Sequence, residues 1–347
     1  MEINQLIRKN IVQMNAYSSA RDEFKNFEQK MIFLDANENP YNNGVNRYPD
    51  PQQKLIKKKL AELKGIQNNQ ILLGNGSDEV LDLIFRAFCE PNCDNVITLP
   101  PTYGMYDVLA NLNAIENREV VLTDKFEPNV EAIKNQVDNN TKIIFLCSPN
   151  NPTGNSFSEE CIVTLIRDFN GLVLLDEAYI DFSEKESWLK RLNEYPNLII
   201  SQTLSKAYGL AGIRLGILYA SEEIIEILNK IKPPYNVNSL TQNRALERLN
   251  KKSEVITEIS NIKKQREDLL KQLLEVNFIH EVFASDANFI LIKVDDANKR
   301  YDQLLNKGIV IRNRSSQPLC DNCLRITIGT EEENNQLINV LKSMQNG

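Results

Sequence analysis

A lysine with chemically useful neighbours lies in residues 203–214. Thr203, Ser205 and Lys206 follow an apolar run, residues 197–201, that is typical of a short buried strand, and Arg214 comes shortly afterwards. A lysine just past a strand can be held against a cavity wall, where desolvation lowers its pKa and makes the amine a usable nucleophile. A solvated lysine on a surface loop would have the same local sequence, so this segment alone leaves both interpretations open.

A second segment, residues 74–79, has the composition of an anion site. It reads Gly-Asn-Gly-Ser-Asp-Glu and lies between a predicted strand, residues 71–73, and a predicted helix, residues 77–89. The free N–H groups and the dipole of a helix N-terminus favour an anion there, and glycines let a phosphate approach the backbone. Ser77 and Asp78 are also good helix-capping residues, so an ordinary helix N-terminus is the alternative.

Polar side chains also follow the predicted buried strands 142–146 and 172–175. Asp176 and Tyr179 come after the second of these strands, and Asn151 lies in a proline-rich turn after the first. Ligands of open α/β sheets bind at such strand ends, where an aspartate can pair with a cationic group of a cofactor. Tyr103 opens a predicted helix and could stack on a planar ligand. Helix capping, a rigid turn and a half-buried ring are the respective structural alternatives.

The C-terminal part of the chain contains two arginines of interest. Arg325 interrupts an otherwise apolar strand, residues 324–328, and Arg312 follows another predicted strand, residues 308–311. An arginine within such a strand requires an anionic partner or an exposed face. The single histidine, His280, argues against histidine triads and multi-histidine metal sites. The cysteine pairs 89/93 and 320/323 are poorly spaced for zinc, so we predict no metal.

The hydrophobic pattern predicts an α/β fold with two domains. Near-continuous apolar strands alternate with amphipathic helices up to residue 219, which indicates a mostly parallel sheet covered by helices on both faces. After Pro233-Pro234 the pattern changes to a long helical stretch, residues 239–276, and then to a smaller α+β unit. We expect an N-terminal arm packing with the small domain (residues 1–36, with a strand at 31–35), a large domain (residues 37–250) and a small C-terminal domain (residues 251–347).

The composition excludes several classes of function. The 347 residues carry a net charge of −7, so general nucleic-acid binding is not expected. No apolar run reaches the length of a membrane span, and the first residues do not resemble a signal peptide. We therefore expect a cytoplasmic protein without nucleic-acid or membrane partners.

Together, the order and spacing of these residues resemble the site of the fold-type I pyridoxal-phosphate aminotransferases. The residues that carry the resemblance are Gly76-Ser77-Asp78, Tyr103, Asn151-Pro152-Thr153-Gly154, Asp176-x-x-Tyr179, Ser205-Lys206, Arg214 and Arg325. Other stretches favour the histidinol-phosphate aminotransferases within that family, namely residues 35–40, 47–49, 86–91, 100–106, 148–154, 176–179, 203–207 and 323–329. The resemblance covers nearly the whole chain, and no matched site position departs from it.

The resemblance implies a role for each residue toward pyridoxal 5'-phosphate. Lys206 would hold the cofactor covalently and shuttle a proton, and Asp176 would pair with the pyridine nitrogen. Tyr179 and Asn151 would hydrogen-bond the ring's 3'-oxygen, and Tyr103 would stack on the ring. The cofactor phosphate would be held by Gly76, Ser77, Asp78, Thr203, Ser205 and Arg214, and by Tyr48 of a neighbouring subunit, which implies a homodimer.

The resemblance also implies the reaction. The substrates would be histidinol phosphate and 2-oxoglutarate, and the products imidazole-acetol phosphate and glutamate, in histidine biosynthesis. Substrate binding is expected from Arg325, Arg312, Tyr17, Asn37 and Tyr235. Two alternatives on the same fold are a broad aromatic aminotransferase and a threonine-phosphate decarboxylase, which would release carbon dioxide and need no oxo-acid.

Overall fold

A seven-stranded sheet forms the centre of the large unit in the computed structural model, which describes residues 3–16 and 32–346. The strand order is β1-β7-β6-β5-β4-β2-β3. Strand β7 runs antiparallel to both of its neighbours, and the other pairings are parallel, so the mostly parallel sheet predicted from the sequence is confirmed. The strands are β1 (Ile71–Asn75), β2 (Asn95–Thr98), β3 (Glu116–Glu119), β4 (Thr141–Cys147), β5 (Leu172–Asp176), β6 (Leu198–Thr203) and β7 (Leu215–Tyr219).

Helices cover both faces of this sheet. Successive residues of the central strands enter different hydrophobic cores: Ile144 packs in the core on one face, and Phe145 packs in the core on the other. This alternation explains why the strands are apolar throughout, since both of their faces are buried. The helices up to the end of this unit are α1 (Lys9–Gln13), α2 (Lys54–Lys64), α3 (Ser77–Phe88), α4 (Met105–Leu112), α5 (Val130–Gln136), α6 (Glu159–Asp168), α7 (Glu222–Ile231) and α8 (Ser239–Asn250).

The small unit has a four-stranded antiparallel sheet in the order β10-β11-β9-β8. Its core includes Leu269, Ile292, Leu324 and Leu337. Helices α8 and α9 are separated at Lys251. The predicted domain boundary, between residues 250 and 251, lies at this point and stays a prediction. The elements are α9 (Lys252–Leu273), β8 (Ile279–Val282), β9 (Phe289–Val294), α10 (Ala297–Asn306), β10 (Arg312–Asn313), β11 (Cys323–Thr327) and α11 (Glu331–Ser343).

Three local predictions differ from the structure. The strand expected at residues 308–311 forms at 312–313, and the strand expected at 119–122 forms at 116–119. Strand β3 consists of polar residues at the sheet edge, so no apolar run marks it. Residues 32–35 form no strand. Elements α5, α7 and β8 were not predicted.

Residues 3–16 of the N-terminal arm pack on the large unit. Ile3 is buried in the core formed with α3. The backbone N–H of Arg8 donates to the carbonyl of Ala87 at 3.0 Å, and Nζ of Lys230 donates to the carbonyl of Ile11 at 2.7 Å. For residues 3–16, the expected packing on the small domain is therefore wrong.

No helix within residues 3–16 and 32–346 is long and apolar enough to cross a membrane. The same residues contain no cluster of three histidine, cysteine or acidic side chains placed to hold a metal ion.

Candidate active site

A cavity opens at the carboxyl ends of β4, β5 and β6. Asn151 follows β4, Asp176 is the last residue of β5, and Lys206 follows β6, so three neighbouring parallel strands deliver one side chain each. The N-terminus of α3 forms the opposite wall. The cavity is lined by Ser77, Asp78, Tyr103, Cys147, Asn151, Asp176, Ala178, Tyr179, Thr203, Ser205, Lys206 and Arg214.

Asp176 lies at the bottom of this cavity and is held by three donors. The hydroxyl of Tyr106 donates to Oδ2 at 2.8 Å, the hydroxyl of Ser201 donates to Oδ1 at 2.9 Å, and the N–H of Ala178 donates to Oδ1 at 3.1 Å. Burial raises the pKa of Asp176, and the hydrogen bonds from Tyr106 and Ser201 oppose that rise. A buried carboxylate of this kind is stabilised by any cation that enters the cavity.

Lys206 stands at the mouth of the cavity, where its side chain remains open to solvent. Desolvation by the surrounding protein lowers the pKa of its amine, and the positive charge of Arg325 lowers it further. The Nζ atom lies 5.7 Å from the ring centroid of Tyr179. The environment therefore favours the neutral, nucleophilic form of this amine.

The N-terminus of α3 forms an anion cradle. Gly76 precedes the helix with φ +80°, and no side chain among the described residues caps the first N–H groups. Glycine suits this position because residues with a side chain rarely adopt so positive a φ, and the Arg214 guanidinium lies close against its backbone. Arg214 itself makes an ion pair with Asp78 at 3.5 Å, with both side chains partly exposed. Thr203 and Ser205 lie beside the cradle, where the Ser205 N–H donates to the Thr203 hydroxyl at 3.1 Å.

Two tyrosines of the cavity wall, Tyr103 and Tyr179, are held by contacts with neighbouring side chains. The Tyr103 hydroxyl donates to Asp78 at 3.1 Å, and its ring packs edge-on against Tyr106. Tyr179 packs edge-on against Phe289 of the small unit, with ring centroids 5.0 Å apart. Residues of both units therefore border the same space.

Arg325 of the small sheet contacts a residue of the cavity wall. A terminal guanidinium nitrogen of Arg325 donates to Oδ1 of Asn151, which joins the two units across the site. Burial lowers the pKa of Arg325 to about 10, and the charge of Arg314 contributes. Arg312 is exposed on β10 and lies directly opposite Arg325 in the strand register.

Three predicted residues lie at a separate groove instead of around this cavity. Asn37 and Tyr48 line a separate groove formed by residues 36–38, 45–49 and 238–240. Tyr235 stacks on Tyr48 with ring centroids 4.5 Å apart. Tyr17 lies outside the described residues. The structure therefore places the expected cofactor residues of one chain together, except Tyr48, which was expected to act on a neighbouring subunit.

Sequence reasoning assigned no role to several residues of the site. Tyr106 follows Tyr103 by one helical turn, and Ser201 is the register partner of Asp176 in the neighbouring strand β6. The sequence alone could have suggested both, from helical spacing and from parallel strand pairing. Arg314 lies two residues beyond Arg312, a spacing that places both on one face of an extended strand.

Comparisons with known proteins agree with this geometry. The family model described as aminotransferase class I and II matches residues 20–341. A histidinol-phosphate aminotransferase from Flavobacterium johnsoniae is 68% identical over 342 residues, which cover 98% of each chain. The crystal structure of a histidinol-phosphate aminotransferase from Clostridium acetobutylicum is 25% identical with a TM-score of 0.81, and the match covers 87% of this chain and 91% of that chain.

The fold is also shared by a histidinol-phosphate aminotransferase from Sinorhizobium meliloti in complex with pyridoxal-5'-phosphate. It is 24% identical with a TM-score of 0.80, and the match covers 86% of this chain and 83% of that chain.

Proposed function

We propose that this chain transfers the amino group of histidinol phosphate to 2-oxoglutarate. The premise is that it belongs to the histidinol-phosphate aminotransferase family of class I and II aminotransferases. The products are imidazole-acetol phosphate and glutamate, in histidine biosynthesis. The observation that carries the proposal is the joint placement of Lys206, Asp176 and Arg325 around one cavity: an activated amine, a buried carboxylate and a cation for the substrate's anionic group.

The residues present fit pyridoxal 5'-phosphate, the cofactor that the family implies. Asp176 is a buried carboxylate suited to a protonated ring nitrogen, since burial raises its pKa and a cation beside it would favour the ionised form. Gly76 and the uncapped N–H groups of α3 suit a phosphate, with Arg214 as the fixed cation. When bound, the cofactor supplies an electrophilic carbon for amines and an electron-withdrawing ring that weakens bonds at the substrate's amine-bearing carbon.

The protein's own residues would then hold the cofactor and move the proton. Lys206 would hold the cofactor through Nζ, and its amine would hold and return the proton of the substrate carbon. Asp176 keeps the ring nitrogen protonated, and Tyr106 and Ser201 orient its carboxylate. Tyr179 and Asn151 would hydrogen-bond the ring oxygen, and Tyr103 would stack on the ring. Backbone N–H groups or hydroxyls of Gly76, Ser77, Asp78, Thr203 and Ser205 would hold the phosphate together with Arg214.

The substrate's anionic group would bind to arginines of the small unit. Arg325 bridges toward Asn151 at the cavity, and Arg312 stands opposite it on the same sheet. Arginine suits both anions involved, since its fork binds a carboxylate or a phosphate through paired hydrogen bonds. One site can therefore accept a phosphate ester in one half-reaction and a dicarboxylate in the other.

A homodimer would complete the site. Leu34, Tyr41 and Leu240 are large apolar side chains that are 88%, 81% and 68% exposed, and they flank the segments that carry Asn37 and Tyr48. Covering these side chains with a second copy would remove apolar surface from water. It would also bring Tyr48 toward the partner's cofactor phosphate, while Tyr17, Asn37 and Tyr235 stay predicted substrate-binding residues. We place the enzyme in the cytoplasm.

The proposal is tested by assaying purified protein loaded with pyridoxal phosphate. We expect glutamate and imidazole-acetol phosphate in equal amounts, and a kcat/KM for histidinol phosphate at least about 10²-fold above that for phenylalanine or tyrosine. Equal rates with phenylalanine would indicate a broad aromatic aminotransferase. Carbon dioxide release from threonine phosphate without an oxo-acid would indicate a decarboxylase.

A further inference from the structure

Three arginines share one face of the small sheet. Arg312 lies opposite Arg325 in the antiparallel register of β10 and β11, so both side chains leave the same face. The ladder continues beyond β10, where the N–H of Arg314 donates to the carbonyl of Cys323 at 2.9 Å. Strand alternation therefore returns the Arg314 side chain to the face of Arg312. Asn313 points the other way, and its amide donates to Asn298 of α10 at 2.7 Å.

Buried polar atoms without hydrogen-bond partners among the described residues lie on this face and in the loop that follows β10. They are Nε of Arg314, Nε of Arg325, the hydroxyl oxygen of Ser315 and Oε1 of Gln317. Neither Arg314 nor Arg325 makes a salt bridge within residues 3–16 and 32–346. A buried donor without a hydrogen-bond partner destabilises the protein, and a ligand that accepts a hydrogen bond from it offsets that cost.

The loop that carries Arg314 also borders the cavity. Nε2 of Gln317 donates to the carbonyl of Thr102 at 3.5 Å, next to Tyr103 of the cavity wall. Burial raises the pKa of Tyr179, while the positive charges of Arg325 and Arg314 oppose that rise, which places both cations near its hydroxyl. Arg312, by contrast, is exposed. Arg314 is thus nearer to the site than its position in the sequence suggests.

We propose that Arg314 is a substrate-binding residue which, with Arg325 and Arg312, selects substrates that carry a phosphomonoester dianion. This inference rests on the proposed function and refines its substrate site. One arginine is enough to neutralise the single charge of a carboxylate. Three arginines on one face carry more positive charge, which a phosphate dianion with three acceptor oxygens neutralises better than a carboxylate does. Arg314 therefore contributes to binding of the phosphate ester more than to binding of glutamate.

The test measures both half-reactions of the loaded enzyme by stopped-flow absorbance, with histidinol phosphate, histidinol and glutamate as substrates. In Arg314→Ala we expect the preference for histidinol phosphate over histidinol, as a ratio of kcat/KM, to fall at least about tenfold, mainly through KM. The glutamate half-reaction should change less than about threefold. Arg314→Gln keeps most of the side-chain length without the charge and should behave like Arg314→Ala.

Lys307→Ala is the matched control, because it removes an exposed cation next to α10, which packs on the opposite face of the sheet. It should leave the ratio unchanged. An unchanged ratio in both folded Arg314 variants would overturn the inference, as would equal losses in the histidinol-phosphate and glutamate half-reactions. A wild-type enzyme that fails to prefer histidinol phosphate over histidinol would instead refute the proposed function itself.

Discussion

The hydroxyl of Tyr106 donates a 2.8 Å hydrogen bond to Oδ2 of Asp176, and both side chains are buried beneath the cavity. The Tyr106 ring is in turn stacked on Phe145, with centroids 4.9 Å apart, so the donor has a fixed orientation. A hydrogen bond to the ionised form of a carboxylate favours ionisation. Tyr106 therefore helps Asp176 to remain charged at a depth where burial alone would favour protonation.

Tyr106→Phe should raise the pKa of Asp176 and weaken its hold on the ring nitrogen. We expect kcat to fall about tenfold, the equivalent of one hydrogen bond to a charged group, and the pH at which the bound cofactor's absorbance changes to shift. Tyr219→Phe is the control, because Tyr219 is fully buried and its hydroxyl has no partner within the described residues. Equal spectra and rates for the two variants would show that Tyr106 has only a packing role.

Asp176→Asn should abolish the charge beneath the ring while preserving the volume of the side chain. We expect kcat/KM to fall on the order of 10²-fold or more, since a lost electrostatic partner of this kind costs about 3 kcal/mol. The adjacent Glu177 provides a control. It is equally buried but accepts hydrogen bonds from Ser187, Trp188 and Gln202 outside the cavity.

Glu177→Gln should therefore destabilise the fold by about 1–3 kcal/mol in urea titrations, with kcat changed only a few-fold. Activity of Asp176→Asn within a few-fold of the wild type would contradict the role of Asp176.

The large sheet and most of its site were predictable because burial on both faces makes each strand a continuous apolar run. Asp176 and Lys206 stand out from the sequence because each follows such a run, and parallel strands present their carboxyl ends at one edge. The position of β3 was less predictable, since its residues are polar at the sheet edge. The local pattern therefore contains little information about that strand.

Residues whose role depends on long-range pairing were not predictable in the same way. Ser201 reaches Asp176 only because β5 and β6 pair in one particular register. Arg314 reaches the face of Arg325 only because the antiparallel ladder continues beyond β10. The groove around Tyr48 likewise joins residues 36–38 and 45–49 to residues 238–240, which are far apart in the chain.

Lys206 should react with pyridoxal phosphate at a lower pH than an ordinary lysine. Its pKa lies below the usual 10.5 because of desolvation and the charge of Arg325. In cofactor-free protein, the rate of covalent attachment, measured by borohydride trapping and peptide mapping, should reach half its maximum below pH 10.5. Label recovered on another lysine would refute the assignment of Lys206.

Arg325→Ala should raise this midpoint, because removing a nearby positive charge favours the protonated amine. Lys307→Ala removes a cation from the exposed surface and should not move the midpoint. If both variants or neither shift it, Arg325 does not set the pKa of Lys206.

Lys57 is a buried lysine of α2 that is only 7% exposed and does not line the cavity. Burial and the charge of Lys232 lower its pKa to about 8, against a partly opposing effect of Asp50. Between about pH 8 and pH 10.5, the unfolded chain keeps a proton that the folded chain has lost, so this group makes folding more favourable as the pH rises through that window. Below pH 8, both states are protonated and the full cost of burying the charge remains.

Lys57→Met should therefore stabilise the protein at pH 7, by about 1–3 kcal/mol in the free energy of unfolding, and this gain should shrink as the pH approaches 10.5. Urea titrations of both proteins at several pH values measure the difference. Lys58→Met is the matched control on the same helix, because Lys58 is exposed and its replacement should change stability by less than about 0.5 kcal/mol. A gain that is the same for both variants, or that grows with pH, would mean that Lys57 does not bear a desolvated charge.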